Sequence, residues 1–283
     1  MRVAHLILAH KSPAQLERLL HALAHPQADI YIHLDKKSDF QKFAHLATRP
    51  NVWFTRVRLD VKWGGYSLTR ASLEGMREIL GTSRPYDFIN LLSGEDYPIK
   101  SAPAIHAFLA RHVGHSFLEY EAQGSAWWQA NESHFSHYHF TEFSFRGRYA
   151  LQRVLNALLP RRRPPLPVLY GGNMGGWYTL SRECAAHVLA VLDAQPRLPR
   201  FFRFTWGSDE FVVQSIVLNS PLAPTVINNN QRFIDWSGGG HSPKVLTTAD
   251  LPALLASPRL YARKFDAQQD AAVLDELDQA LRT

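Results

Sequence analysis

The sequence predicts an α/β fold with a mostly parallel central sheet flanked by helices. A buried strand over Arg2–Leu8 is followed by a helix that starts at Pro13 and by a second strand over Asp29–Leu34. A strand, a helix and a strand at this spacing form a βαβ unit, in which the two strands run parallel. The alternation continues as far as a short strand predicted at Phe117–Tyr120, which is typical of α/β folds.

The first helix has sequence signals at its start and along one face. Ser12 is predicted to be its N-cap, and Pro13 occupies the first helical position, where a missing N–H is tolerated. Four leucines between Leu16 and Leu23 recur at helical spacing, so we expect one apolar face to pack on the sheet.

The later elements are predicted from the same patterns. Residues 121–170 differ from the rest, being rich in aromatic residues, His and Arg and then in Pro, and they are interpreted as an insertion or lid. The predicted strands are Val52–Arg56, Tyr86–Leu92 and Trp177–Leu180, and the predicted helices are Ser67–Leu80, Ala102–Arg111, Tyr149–Leu158 and Asp209–Leu218.

Composition limits the class of protein. With 46% hydrophobic and 20% charged residues, the 283-residue chain is an ordinary folded globule and not a disordered one. Its single cysteine, Cys184, allows no intrachain disulfide and is expected to be a packed core thiol. No apolar stretch reaches the length of about 18 residues that a membrane span needs, so a cytoplasmic or peripheral location is predicted.

The net charge of +6 suits an anionic partner, which could be a nucleotide, a nucleic acid or an anionic lipid. No signature of a nucleic-acid-binding module is present, and nucleic acid is therefore not expected. The run Arg161–Arg163 is interpreted as a solvated loop, with a peripheral membrane contact as the alternative.

Two acidic segments are the main candidates for chemistry. Glu95 and Asp96 follow one apolar run, and Asp209 and Glu210 precede another. Carboxylates at such edges are candidates for acid–base catalysis or metal binding, and Glu210 alone would suffice to deprotonate a sugar hydroxyl.

A metal-free site is favoured over a metal site. Adjacent carboxylates in an extended loop point to opposite sides, so Glu95 and Asp96 are poorly placed to chelate one ion. The alternative, a metal-dependent site on this pair, stays open. A zinc site on His134, His137 and His139 is less favoured than an interpretation as surface or lid histidines, because no Cys or acidic partner motif accompanies them.

Without a metal, fixed cations must neutralise an anionic leaving group. Two late clusters offer such cations, one with His241 and Lys244 and the other with Arg263 and Lys264. Trp236 precedes a Gly-rich turn and is interpreted either as a sugar-stacking residue or as a core residue.

The motifs, taken in order, resemble the core-2/I-branching N-acetylglucosaminyltransferase family, which includes peptide O-xylosyltransferases. Each segment is short, but the ordered set runs through most of the chain, with residues 121–170 matching poorly. The matching segments are Leu8–Lys11, Ile32–Lys37, Trp63–Ser67, Phe88–Lys100, Trp177–Arg182, Ser208–Phe211, Arg232–Trp236 and Ala262–Asp266.

This resemblance implies a GT-A-like fold and an inverting transfer of a sugar from a UDP-sugar to a hydroxyl, with no metal cofactor. It implies a base at Glu210 and diphosphate contacts from Lys264 and Arg263, with Lys244 or His241 as a second cation. The nucleotide residues implied are His10, Asp35, Lys37 and Gly65, and the sugar residues are Glu95, Asp96, Trp177, Asp209 and Trp236.

The resemblance also implies an organisation and a biological role. A single domain is expected, with a nucleotide-binding half over residues 1–120, the insertion over 121–170 and an acceptor and catalytic half over 171–283. Animal members carry a membrane anchor and several disulfides, so the single cysteine here predicts a bacterial form. GlcNAc or xylose is the expected donor sugar, a glycan or glycolipid the expected acceptor, and surface polysaccharide synthesis the expected role. A non-catalytic nucleotide- or glycan-binding protein is the remaining alternative.

Overall fold

A computed structural model describes residues 1–172, 174, 176–239 and 242–282. Its strands are β1 Val3–Ala9, β2 Ala28–Leu34, β3 Val52–Phe54, β4 Phe88–Ser93, β5 Asp96–Pro98, β6 Ser116–Leu118, β7 Thr179–Ser181, β8 Val226–Asn228, β9 Arg232–Ile234 and β10 Tyr261–Arg263. Its helices are α1 Pro13–Ala22, α2 Tyr66–Leu80, α3 Ala102–Ala110, α4 Ala126–Ser136, α5 Arg148–Leu158, α6 Arg182–Ala194, α7 Arg197–Phe202, α8 Val212–Leu218, α9 Leu251–Ala256 and α10 Ala272–Leu281.

The main sheet has the strand order β3-β2-β1-β4-β7-β6-β8. Strand β7 is antiparallel to both of its neighbours, whereas the other neighbouring pairs run parallel. The predicted α/β class with a mostly parallel sheet is therefore confirmed, and so is the parallel βαβ unit of β1, α1 and β2.

Helices cover both faces of this sheet, because successive side chains of a strand point to opposite faces. In β1, Val3 and Ile7 belong to a core shared with α1, α3 and α10, while Ala4 and Leu6 belong to a second core shared with α2, α6 and α8. Cys184 is buried in the second core, as expected of a packed thiol.

A second sheet of three strands, β5-β10-β9, packs beside the main one. Strand β10 lies between the other two and pairs antiparallel with β5, so that Arg263 stands opposite Asp96. The loop after β4 and the late cationic segment are thereby held side by side.

The buried guanidinium of Arg232 links the two sheets. From β9 it donates to the Leu91 carbonyl at 2.8 Å and the Tyr178 carbonyl at 2.9 Å, and also to the side chain of Asn90. Burial lowers the pKa of Arg232 to about 10, so it is still a cation at neutral pH.

Several predicted boundaries need correction. Ser12 precedes α1, but its side chain makes no capping hydrogen bond, because its backbone is left-handed (φ 54°) and not extended as in an N-cap. The helix predicted from Asp209 begins at Val212, because Ser208–Glu210 forms a separate 3₁₀ turn. The strand predicted at Trp177 begins at Thr179.

Residues 121–170 hold α4, α5 and a Pro-rich return, and they contact the body of the protein. The backbone N–H of Trp206 donates to the His134 carbonyl at 3.0 Å, and the N–H of Ser67 donates to the Glu142 carboxylate at 2.8 Å. The lid role and the division of the domain at residues 120 and 170 stay predictions.

The arginine run does not form one exposed basic patch. Arg162 is turned inward, where its guanidinium donates to the Phe204 carbonyl at 2.7 Å and lies 4.1 Å from the Phe201 ring centroid. Arg161 is paired with Glu132 at 2.9 Å. The run therefore does not present three free arginines side by side, and its membrane contact stays a prediction. Within the described ranges, no helix is long and apolar enough to cross a bilayer.

Candidate active site

A cleft of about 680 Å³ opens at the carboxyl ends of β1, β2 and β4. His10, Asp35 and Ser93 line it, and each comes directly from or just after one of these strands. This edge of a parallel sheet is where α/β proteins bind ligands. A second surface groove, between α1 and α10, is lined by paired charges such as Arg18 with Asp275 and lies away from every predicted site residue.

Ten of the predicted site residues line this one cleft, and their chemical roles stay predictions. They are His10, Asp35, Lys37, Glu95, Trp177, Asp209, Glu210, Trp236, Arg263 and Lys264.

One end of the cleft is built around Asp35. Its carboxylate accepts from the N–H of Lys37 at 2.8 Å and from the N–H of Val61 at 3.3 Å, so the loop that follows β2 is fixed. Nearby, the Nε2 atom of His33 accepts from the N–H of Leu59 at 3.1 Å, and burial lowers the pKa of His33. A neutral histidine and a fixed carboxylate suit the hydrogen-bonding edge of a nucleoside.

Three cations form a cluster on the side of the cleft nearest β10. The Lys11 ammonium lies 2.8 Å from the Glu95 carboxylate and 2.9 Å from that of Asp266, and Lys264 lies 3.9 Å from the same Glu95 oxygen. Arg263 is 7% exposed and also lines the cleft. Lys11 was not among the predicted site residues, although its position directly after β1 and beside His10 was the available signal.

Arg263 has hydrogen-bonding capacity to spare. Its guanidinium lies 3.8 Å from the Trp177 ring centroid, and its Nε is 3.4 Å from the Asp96 carboxylate. Considering only the described part of the chain, its Nε and Nη1 atoms are buried without a hydrogen-bond partner. Buried N–H groups without hydrogen bonds are costly, and the charge of Asp96 and the face of the Trp177 ring are the contacts that stabilise this guanidinium.

The acidic pair lies on a tight turn. Gly207 has φ 62°, a left-handed conformation that glycine adopts without strain, and its N–H donates to the Gly64 carbonyl at 2.9 Å. A Cβ on Gly176 would lie 2.7 Å from the Asp209 carboxylate, so a larger residue there would displace that side chain.

The environment of the pair favours protonation. Burial raises the pKa of Asp209 to about 6. Burial, and then repulsion from Asp209, raises the pKa of Glu210 well above its usual 4.5. A carboxylate with a raised pKa is a stronger base once ionised, as general-base catalysis requires.

Indole rings form the apolar part of the cleft. Trp63 is 59% exposed, and its ring packs edge-on against Trp206 at a centroid distance of 5.3 Å. Trp206 in turn packs against His134 at 4.4 Å, so the insertion supports one side of the cleft. Trp236 also lines the cleft. Exposed indoles of this kind can stack on the C–H face of a sugar ring.

Three predicted residues are not part of the lining. Asp96 lies in β5 and points away from the cleft. It is buried, and its carboxylate accepts from the Ser93 N–H at 2.9 Å. The ammonium of Lys244 is held at 2.6 Å by Asp250. A Cβ on Gly65 would lie 2.8 Å from the Glu142 carboxylate, so packing against the insertion explains that glycine. His241, the alternative to Lys244, lies outside the described residues.

The three candidate zinc histidines have other contacts, although the His134 and His139 rings also meet edge-on at a centroid distance of 6.3 Å. His134 packs on Trp206, His139 is 2.8 Å from the Ser133 carbonyl, and His137 is 3.1 Å from the Ser136 hydroxyl. Over the stretches that the structure describes, no group of three His, Cys, Asp or Glu residues is arranged to hold a metal ion.

Solved structures with a related arrangement are only distantly similar. Mouse xyloside xylosyltransferase 1 in its apo form has a TM-score of 0.39 and 13% identity, over 92% of this chain and 97% of that one. Residues 1–349 of TarS from S. aureus give a TM-score of 0.40 and 14% identity, over 80% of this chain and 57% of that one. At these TM-scores neither likeness supports a statement about the site.

Sequence relatives are more informative. Xylosyltransferase 1 of Rattus norvegicus is 28% identical over 99% of this chain and 35% of its own length. Xylosyltransferase 2 of Homo sapiens is 28% identical over 98% of this chain and 33% of its own length. The chain thus spans about a third of the length of these curated relatives.

A family model confirms the relationship predicted from the ordered motifs. The model described as Core-2/I-Branching enzyme matches residues 3–254, which is most of the sequence. The chain therefore belongs to the Core-2/I-Branching enzyme family.

Proposed function

We propose that this chain is an inverting glycosyltransferase with a GT-A-like fold, which moves GlcNAc or xylose from a UDP-sugar to a hydroxyl of a glycan or glycolipid. The observation that carries the proposal is a cleft lined both by a carboxylate pair with raised pKa values and by a cluster of fixed cations. Family membership agrees with transferase chemistry. A bacterial source, a cytoplasmic location and a role in surface polysaccharide synthesis belong to the same proposal.

The proposed reaction uses the two parts of the cleft together. Glu210 accepts the proton of the acceptor hydroxyl while that oxygen attacks the anomeric carbon of the donor sugar. The bond between the anomeric carbon and the diphosphate oxygen breaks, and the electron pair leaves with UDP. Lys11, Arg263 and Lys264 stabilise the negative charge that develops on the diphosphate.

Metal independence is also part of the proposal, and the contacts of Glu95 and Asp96 support it. The Glu95 carboxylate is already within ion-pair distance of Lys11 and Lys264, so a divalent cation there would be repelled by two ammonium groups. Asp96 is buried against Ser93 and Arg263. These contacts favour direct binding of a diphosphate by the nearby cations over binding of a metal ion by the two carboxylates.

A donor screen tests this function. Calorimetric titration with UDP-GlcNAc, UDP-xylose, UDP-glucose and UDP-galactose, each with and without EDTA, is expected to give one tight donor whose affinity is unchanged by chelation. Slow hydrolysis of that donor should accompany binding. Binding only after addition of Mn²⁺ would favour the metal-dependent alternative, and binding with no turnover on any acceptor would favour a non-catalytic nucleotide-binding protein.

The two candidate lysines give a matched pair of variants. Lys264→Ala is expected to weaken UDP binding about tenfold, because it removes one charge-assisted contact to the diphosphate. Lys244→Ala should change UDP affinity by less than about twofold, since that ammonium is bound to Asp250 outside the cleft. Calorimetry with UDP compares them, and the opposite ranking would return the second-cation role to Lys244.

The raised pKa values predict the pH dependence of the reaction. Glu210 must be ionised to act as a base, so kcat/KM should rise with pH through an apparent pKa above that of an ordinary Glu. Asp209→Asn removes the like charge that helps to raise the pKa of Glu210, and the rise should therefore move to lower pH. A pH profile of kcat/KM measures this shift, and a rise at unchanged or higher pH would contradict the coupling of the two carboxylates.

A further inference from the structure

Helix α5 has its polar face turned toward the protein. The side-chain oxygen of Gln152 accepts from the N–H of Phe140 at 2.8 Å. Asn156 bonds both backbone groups of Tyr138, accepting from its N–H at 2.7 Å and donating to its carbonyl at 2.9 Å. A surface helix of a globular protein normally turns its apolar face inward, so this orientation is reversed.

The apolar face of α5 is consequently in solvent. Val154 is 51% exposed and Leu158 is 76% exposed, and none of the residues of the helix is buried. Exposed apolar neighbours before, within and after the helix extend the area. This α5 surface comprises Phe145, Leu151, Val154, Leu158 and Leu159.

The segment that carries this surface is strongly basic. Between Phe143 and Arg163 there are six arginines and no Asp, Glu or Lys. Arg146, Arg153 and Arg163 are exposed beside the apolar area. An amphipathic helix with a wide apolar face and flanking arginines has the composition of helices that lie in a membrane interface.

We propose that the α5 surface docks on an anionic lipid bilayer, with its apolar side chains entering the acyl boundary and its arginines among the phosphate headgroups. An anionic bilayer satisfies both features at once. A nucleic acid would neutralise the arginines but leave the leucines in water, and a second copy of the chain would set one arginine cluster against another. Docking requires neither donor binding nor catalysis, so the inference goes beyond the proposed reaction.

Vesicle flotation of the full chain tests the proposal. We expect binding to vesicles of phosphatidylcholine and phosphatidylglycerol and much weaker binding to phosphatidylcholine alone. The double variant Val154→Ser/Leu158→Ser should bind the anionic vesicles about tenfold less tightly, because apolar burial is lost. Arg146→Glu/Arg153→Glu should lose a similar factor or more, because each basic residue near an anionic surface contributes to binding.

Matched controls change the same residue types elsewhere on the surface. Val57 and Val113 are 41% and 51% exposed, and Val57→Ser/Val113→Ser should leave vesicle affinity within about twofold. Arg56 and Arg111 are also exposed, and Arg56→Glu/Arg111→Glu changes the net charge by as much as the α5 pair does. Thermal melts of all variants establish that each is folded.

Four outcomes would overturn the proposal. The first is a wild-type chain that does not float with anionic vesicles. The second is an equal loss of binding in the α5 variants and their controls. The third is a dimer in sedimentation that Val154→Ser/Leu158→Ser dissociates, which would assign the surface to a second copy. The fourth is tighter binding to a DNA duplex or an RNA oligonucleotide than to vesicles. In that case Arg146→Glu/Arg153→Glu would lose the binding to nucleic acid, and Val154→Ser/Leu158→Ser would retain it.

Discussion

Replacement of Glu210 by glutamine is expected to lower kcat by about two to four orders of magnitude, since the variant keeps the shape of the side chain but cannot accept a proton. UDP affinity should stay within about twofold, because the cations proposed to bind the diphosphate lie at the end of β10, directly after it and in the segment after β1. Single-turnover transfer with the donor identified in the screen, together with UDP calorimetry, measures both quantities.

Thermal stability provides the control for this variant. The pKa of Glu210 is higher in the folded than in the unfolded chain, so folding is favoured by protonation. This contribution is complete below the unfolded pKa and is lost as the pH rises through the folded pKa. At neutral pH, Glu210→Gln should therefore melt at the same temperature as the wild type or higher. A folded variant with near-normal turnover would exclude Glu210 as the base, and a lower melting temperature would attribute lost activity to damage of the fold.

Arg232→Met is expected to be the most destabilising single change proposed here, costing about 3–5 kcal/mol of the free energy of unfolding. It would remove the side-chain donor to the Leu91 and Tyr178 carbonyls, of which the Tyr178 carbonyl keeps the Leu91 N–H as a donor, and it would remove a buried cation close to the carboxylate of Asp96. For a domain of this size the loss corresponds to a fall in melting temperature on the order of 10 °C.

Urea unfolding of Arg232→Met beside Arg200→Met measures the effect. Arg200 is exposed, so its replacement should change stability by no more than about 0.5 kcal/mol. Equal stability of the two variants would show that the buried guanidinium is dispensable and that the sheets are held together by apolar packing alone.

Periodicity and position along strands explain what could be predicted from the sequence. The run from Arg2 to Leu34 predicted β1, α1 and β2 because the repeat lengths of strands and helices are fixed by backbone geometry. Candidates that follow directly on parallel strands, such as His10 and Asp35, were found in one cleft because the strands end at the same edge.

The direction in which a side chain faces could not be predicted in the same way. Glu95 and Asp96 are neighbours, and alternation implies that only one can face the cleft, but the choice depends on how β5 pairs with β10. Lys11 shows the same difficulty, because its partner Asp266 is far along the chain. For Lys244 the partner Asp250 is near in sequence, but the pairing depends on how the loop between them folds. The orientation of α5 also depends on groups outside the helix. The side-chain amides of the helix form hydrogen bonds with the backbone of residues 138 and 140.

The position of β10 makes the order of synthesis relevant to the site. Strand β10 is the middle strand of the small sheet, yet both of its partners precede it in the chain, β5 by well over half of the sequence. A polypeptide cut after residue 254, where the family match ends, would lack Arg263 and Lys264 and would leave β5 and β9 as unpaired edges. On the ribosome, Asp209, Glu210 and the central sheet would thus emerge first. The part of the cleft formed by Arg263 and Lys264 would close last, by a contact of high sequence separation.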